Sequence, residues 1–472
     1  MKSIINPIID LRRYFFAKLF PSLIGLVSSI YFIRVLNVEQ FGIYQIIIST
    51  LLLIGSIGFS WINSIVIRYY SILGEVKLIS RTTLLLTLSL ILSLFVWFIT
   101  YSINHYDSAL IFYSGLVWLI GYGIYEYLIS LKRAKNDYNK YQIITFLKSL
   151  FGLILATVLM YSFGLNGIYI ITGQGLVMIL SSGYIFPSER PKKIKDFILP
   201  DRDMISFGLP GIFINIITIL SSVSGKFLIN HRTDINKTAI YSANFDFSEK
   251  TIFFINALFI LSSSASAIKI FEENDESANE YLEQILKLYI TFVPFLLLIL
   301  STLYPLFLRN FLNEEYYQGI YIYPLIGAGA LVTGIIHRYS LVLTFHKKTL
   351  LNFIAIFCSI FINIVFTYIF IPVHGILTPA IGFILSQLVY LIFVLYFSRG
   401  YLTPKFPTYL TFRVLVFTSP ILFFLIKVYT GVIPSNINVL ITLLFVIYYI
   451  IIIHKTRTAD IKGLIQRLVG KN

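Results

Sequence analysis

Apolar residues in this chain come in blocks of about 20, set apart by short polar links. That length is what a helix needs to cross hydrocarbon, and the blocks do not alternate in stretches of about ten as barrel strands do. Fourteen spans are predicted, the first seven being Tyr14–Val35, Phe41–Ile67, Thr82–Tyr101, Ser108–Leu131, Tyr141–Tyr161, Leu165–Phe186 and Met204–Ile229. The other seven are Ala239–Ile268, Tyr281–Leu308, Ile320–Phe345, Leu350–Ile371, Ile376–Phe397, Thr411–Thr430 and Ile437–His454. Backbone amides at membrane depth must be satisfied within the chain, so the expected class is an all-α, polytopic membrane protein. Short links make neighbouring spans antiparallel and leave no room for a separate soluble domain.

Composition agrees. Of 472 residues, 57% are hydrophobic and 12% charged, against about 25% charged in a soluble domain. The net charge of +15 does not point to nucleic acid, because most Lys and Arg sit in alternate links. Arg68, Lys77 and Arg81 follow span two, and Lys132, Arg133, Lys135 and Lys140 follow span four. Arg190, Lys192, Lys193, Lys195 and Arg202 follow span six, and Lys455, Arg457, Lys462, Arg467 and Lys471 end the chain. The intervening links hold only Arg232, Lys237 and Arg309. Positive charge favours the cytoplasmic side, so both termini are expected there. The acidic run EENDESANE after span eight is the exception. The first span lacks a small-residue cleavage site and reads as an uncleaved anchor. A single cysteine, Cys358, leaves no disulfide or cysteine–metal site. No GxxxxGK[ST] loop occurs, so no bound nucleotide and no cofactor is expected. Transport energy would then come from a gradient, the membrane potential or consumption of the product.

Two stretches echo each other across the chain. FIRVLNVEQFGIYQ (32–45) resembles FLINHRTDINKTAIYS (227–242), with Tyr44 opposite Tyr241. FGLNGIYIITGQG (163–175) resembles IPVHGILTPAIG (371–382), with Gly167 opposite Gly375. Both offsets are close to 200 residues. Six spans per repeat is an even number, so the halves share orientation and a site is expected between them. The expected lobes are 1–190 and 191–405, with two additional helices and a basic tail at 406–472.

The segments RVLNVEQFGIYQIIIS (34–49), FGLPGIFINII (207–217), AIYSANF (239–245) and NIVFTYIFIPVHGILTPAIGFILS (363–386) carry a family resemblance. The chain resembles polysaccharide flippases of the Wzx type, in the multidrug/oligosaccharidyl-lipid/polysaccharide exporter superfamily. The resemblance implies two six-helix lobes in a V, MATE-like, opening alternately to each side. It implies transfer of an undecaprenyl-diphosphate-linked O-antigen, capsule or exopolysaccharide repeat unit to the outer leaflet of a bacterial inner membrane. Proton or sodium coupling, membrane lipid and polymerase machinery would be the associated partners. Many relatives carry an Asp–Arg pair late in span seven. Here the stretch is SVSGKF, so Lys226 stands where the Arg would and the acid is missing.

Charges within the spans are the candidate chemistry, since each costs about 2.5–3.5 kcal/mol on the lenient insertion scale. Lys250 lies about 16 Å into span eight, with Asp246 one turn before it and Glu249 adjacent. Either Asp246 and Lys250 form a structural pair, or the carboxylates couple an ion while Lys250 contacts a diphosphate. On the family's plan Lys18, Arg34 and Lys226 join Lys250 as cavity cations, since phosphate recognition favours such groups. Snorkelling to the interface is the alternative for the first three. Glu126, Lys148 and Arg338, with His337, are gate candidates or structural pairs. Asp201-Arg202-Asp203 has the form of a DxD metal motif, but acids that cap the start of span seven explain it better. Pro21 and Pro210 are hinge candidates or static kinks. Two rivals remain: a drug or cation antiporter of the same fold, and an integral-membrane polymerase or glycosyltransferase. The second would want a long outer loop, which the short links do not provide.

Overall fold

The computed structural model describes residues 5–104, 108–135, 137–185, 201–431 and 435–456. It is all-helical: no strand occurs among the described residues. The first half contains α1 (Ile5–Val35), α2 (Val38–Ile103), α3 (Ala109–Ala134), α4 (Tyr138–Phe163), α5 (Ile168–Ile185) and α6 (Arg202–Arg232). There follow α7 (Ile235–Ser248), a π-helical turn at Glu249–Phe253, α8 (Phe254–Glu273) and α9 (Asp275–Phe311). The rest comprises α10 (Ile322–Phe345), α11 (Thr349–His374), α12 (Thr378–Ser398), α13 (Thr408–Tyr429) and α14 (Ser435–Thr456).

Each predicted span falls mainly on helix among the described residues. Among the described residues eight helical runs have the length and apolarity to cross a membrane. Two of these, Val38–Ile103 and Thr349–Ser398, hold 66 and 50 residues, enough for two crossings of a core about 30 Å thick. Predicted spans two and three are therefore the two limbs of α2. They meet at Gly74, whose backbone (φ 73°, ψ 170°) leaves the helical region. Shorter apolar helices at Leu19–Val35, Ile168–Tyr184 and Asn438–Ile452, with α7–π–α8, account for the remaining spans. The chain is a multi-pass membrane protein.

The chain forms two compact units, one of residues 16–239 and one of residues 1–15 with 240–472. In the first, α3 packs on α2 and α5, α4 on α5, and α6 on α2. Glycines permit the closest crossings: a Cβ at Gly121 would lie 2.5 Å from the Gly175 carbonyl oxygen, the small-residue contact by which helices approach in lipid. Trp97, fully buried, anchors the far limb of α2 by donating from Nε1 to the Phe112 carbonyl at 3.0 Å. Contacts Lys226–Gln45, Gly208–Ile65 and Phe207–Tyr69 show that α6 runs antiparallel to the near limb of α2.

In the second unit α12 packs on α10 and α11, as α5 does on α3 and α4. The repeat read in the sequence is thus a repeat of packing. One detail of its register changes. Gly375 ends α11 at φ 57°, and the glycine ending α4 at positive φ is Gly164 (φ 116°), three residues before Gly167. Gly167 serves a different end: a Cβ there would lie 2.8 Å from both the Gln40 carbonyl oxygen and Tyr44 Cβ. Outside the repeated pattern, α13 and α14 dock on α9. Tyr449 stacks on Phe295 at 4.0 Å and donates to the Thr291 carbonyl at 2.6 Å. Asn438 Nδ2 donates to the Thr302 carbonyl at 2.6 Å.

Candidate functional site

Most of the polar groups predicted within spans settle at three places. The first is on α6 and α2. Lys226, 7% exposed, donates from Nζ to Gln45 Oε1 at 2.9 Å. A buried ammonium demands an acceptor, and a neutral amide on α2 supplies one here. Gln45 was not singled out in the sequence; its signal was an amide on the apolar second span. Arg34, in the last turn of α1, is exposed. Lys18 belongs to α1, and its side chain lies outside the described residues.

The second place is the π turn between α7 and α8. Such a turn inserts one residue into the helical register and recurs at functional sites. Polar side chains fasten the run on both sides of it. Asn244 accepts from Tyr304 Oη at 2.7 Å, and Ser248 donates to the Tyr323 carbonyl at 3.1 Å. Thr251 and Tyr323 share a hydroxyl bond of 3.0 Å. Past the turn, Asn256 donates to the Ala330 carbonyl at 2.6 Å and accepts from Tyr289 Oη at 2.7 Å. Asp246 and Lys250 lie on the opposite face by helical spacing, with Lys250 Nζ 3.9 Å from Asp246 Oδ2. Glu249 is exposed, Asp246 buried and Lys250 half-buried. The carboxylates thus occupy distinct environments, Asp246 buried beside Lys250 and Glu249 exposed.

The third is a cavity of about 330 Å³ in the first unit, between α1, α3 and α4. Two gate candidates meet there: Glu126 of α3 and Lys148 of α4 both line it, with Arg133 and Tyr141. The Lys148 ammonium sits 4.7 Å from the centre of the Tyr125 ring. No ion pair joins it to Glu126 among the described residues.

Arg338 is elsewhere, fully buried on α10 in the second unit. Its guanidinium lies 4.8 Å from the centre of the Tyr289 ring and 6.0 Å from that of Phe259, and Nη1 donates to the Gly334 carbonyl at 2.5 Å. Aromatic faces hold this cation as partners. The Asp201 motif also finds its role. Asp201 occupies the N-cap position of α6 but makes no side-chain cap bond; its carboxylate pairs with Arg81. α1 continues through Pro21, and the side chain of Pro210 lies outside the described residues. Among the described residues, the backbone leaves α-helical geometry within long runs at Gly74, at the π turn and at Gly375.

No protein-family model matches the sequence, and no curated protein matches it. Solved structures do. The lipid II flippase MurJ, in an inward closed conformation, superposes with a TM-score of 0.70 at 17% identity, covering 93% of this chain and 98% of its own. A multidrug resistance MATE family transporter of the MOP superfamily, inward-facing, superposes at 0.61 and 15% identity, covering 81% and 94%. A MOP superfamily transporter from Pyrococcus furiosus superposes at 0.58 and 16% identity, covering 81% and 94%. The fold of this chain is therefore that of the MurJ and MATE membrane transporters.

Proposed function

We propose that this chain is a flippase that moves an undecaprenyl-diphosphate-linked oligosaccharide from the cytoplasmic to the outer leaflet of a bacterial inner membrane by alternating access. The observation that carries this reading is the placement of two cations within apolar helices of a MurJ-like fold: Lys226, buried near the end of its span, and Lys250, about 16 Å into span eight. Cations at membrane depth are costly and mark substrate pathways, and a diphosphate is the anion such groups suit. MurJ is itself a lipid II flippase by its name. In this reading Lys18, Arg34, Lys226 and Lys250 hold the diphosphate, and Asp246 and Glu249 couple a proton or sodium ion, or respond to the potential. Residues 1–190 and 191–405 act as the moving lobes, 406–472 as an accessory, and both termini face the cytoplasm. Polysaccharide polymerase machinery would consume the product.

A deletion strain tests this. Lipid-linked oligosaccharide is expected to accumulate on the cytoplasmic face while surface polymer disappears, and Lys250→Ala is expected to complement poorly. The MATE likeness favours a second reading, a cation or drug antiporter. Unchanged lipid-linked and surface pools, together with drug sensitivity, would select it.

A further inference from the structure

The cavity between α1, α3 and α4 has features of a ligand site of its own. Its volume, about 330 Å³, falls at the lower end of small-molecule sites, roughly 300–1,000 Å³. It is built from polar faces that helical spacing brings together. On α4, Tyr141, Thr145 and Lys148 follow at intervals of four and three; on α3, Glu126 and Arg133 are seven apart. An all-lipid surroundings would select none of these side chains.

The charges that lack an ion-pair partner there define the ligand. Lys148 and Arg133 carry positive charge into the cavity, and among the described residues neither has an ion-pair partner. Lys148 rests on the Tyr125 ring instead. Two cations of this kind take an anionic group. Acceptors face the same space. Thr145 donates its hydroxyl proton to the Tyr141 carbonyl at 2.9 Å, and Ser149 donates its own to the Thr145 carbonyl at 2.9 Å. Both therefore offer lone pairs, beside the Glu126 carboxylate. A bare phosphate would leave those acceptors facing negative charge. An organic cation would face Lys148 and Arg133. A ligand bearing an anion on one side and several hydroxyl donors on the other satisfies both sets.

We propose that this cavity binds an anionic sugar unit, a hexose carrying a phosphate or a carboxylate. Lys148 and Arg133 hold the anion, and Glu126 and the α4 hydroxyl oxygens accept from the sugar hydroxyls. In the cell the unit would be a sugar of the carried glycan, a role that rests on the flippase reading above; a free sugar phosphate is the other source.

The test is equilibrium binding to the full chain in lipid nanodiscs, with glucose 1-phosphate, glucuronate, glucose and inorganic phosphate as probes. Glucose 1-phosphate and glucuronate are expected to bind at least about tenfold more tightly than glucose or phosphate, as loss of a charged contact implies. Lys148→Gln is expected to lose that preference over glucose and Lys148→Arg to keep it, a pair that separates charge from folding. Glu126→Gln is expected to bind inorganic phosphate better than the wild type does. Equal binding of phosphate and glucose 1-phosphate would overturn the proposal in favour of a bare phosphate or lipid head-group site. Unaltered binding in Lys148→Gln, or no binding of either anionic sugar, would overturn it outright. Transport of lipid-linked glycan is scored separately. Binding without transport refutes the flippase reading alone, and transport without binding refutes this site alone.

Discussion

Gln45 and Lys226 stand 181 residues apart in the chain and meet at 2.9 Å inside the first unit. Removing the amide takes an acceptor from a buried charge, so Gln45→Leu is expected to destabilise by about 1.5–3 kcal/mol. Gln45→Glu, which keeps an acceptor and adds opposite charge, is expected to stay near wild type. Thermal unfolding of the detergent-purified protein checks both; a Gln45→Leu melt identical to wild type would remove the bond from the account. At the exposed end of α3 the expectation is weaker. Lys135 donates to Glu75 at 2.8 Å, and this bond and the carboxylate's charge raise the pKa of Lys135 above its usual value. A raised lysine pKa adds stability that is whole below the unfolded pKa and fades as pH climbs through the folded one. Lys135→Met is therefore expected to cost the same at any pH from about 6 to 9, and less than about 1 kcal/mol, because the side chain is half exposed to solvent. A cost that varied within that range would contradict the assignment. At this scale the sequence was informative about charge and silent about partners. Lys226, Asp246 and Lys250 stood out because charge is rare in apolar spans. Gln45 and Tyr125 did not, since an amide or a ring in a span is common and only tertiary packing shows which cation it meets.

The break in α2 falls in the polar link expected between spans two and three, whereas α1 runs on as one helix through Pro21. The turn of α2 is at Gly74, where φ 73° and ψ 170° are open almost solely to glycine. No atom lies within 4 Å of a Cβ built there, so substitution meets only backbone strain. Gly74→Ala is expected to cost about 1–3 kcal/mol. Asn should give no relief, because it favours a left-handed ψ far from 170°. Equal unfolding midpoints for Gly74→Ala and wild type would show that the turn relaxes freely. Gly121 makes a contrast of cause. Its φ is ordinary, but a Cβ would stand 2.5 Å from the Gly175 carbonyl oxygen, so Gly121→Val must push α3 off α5. A loss of about 1–3 kcal/mol or more is expected, with reduced yield of folded protein in the membrane. The π turn was beyond reach of pattern reading. Hydropathy sees one span from Ala239 to Ile268 with charges at Asp246, Glu249 and Lys250, whereas the widened turn is fixed by Asn244, Ser248, Thr251 and Asn256 reaching α9 and α10.

For the whole molecule, span count and repeat were legible because both are properties of length and order. Packing within each unit was not, because apolar blocks of equal length carry no address. The parity of the crossings depends most on α2. Its 66 residues would extend about 100 Å as a straight helix, some three times the hydrocarbon core. Arg68, Lys77 and Arg81 flank the break at Gly74, where they can stay in water, while Phe41–Ile67 and Thr82–Tyr101 are apolar. Two crossings therefore follow, with Gly74 at one membrane face and both Asn37 and Asn104 at the other. Were α2 to cross once, every later link would change sides, and Lys132, Arg133, Lys135 and Lys140 would face outward against the charge rule. Replacing the single cysteine by Cys358→Ser frees the chain for site-directed labelling. An impermeant maleimide added to intact cells is expected to label Asn104→Cys and to spare Lys77→Cys until the membrane is permeabilised. Labelling of both from outside would put Gly74 and Asn104 on one side. It would remove a crossing, and with it the even count that makes the two six-helix repeats parallel.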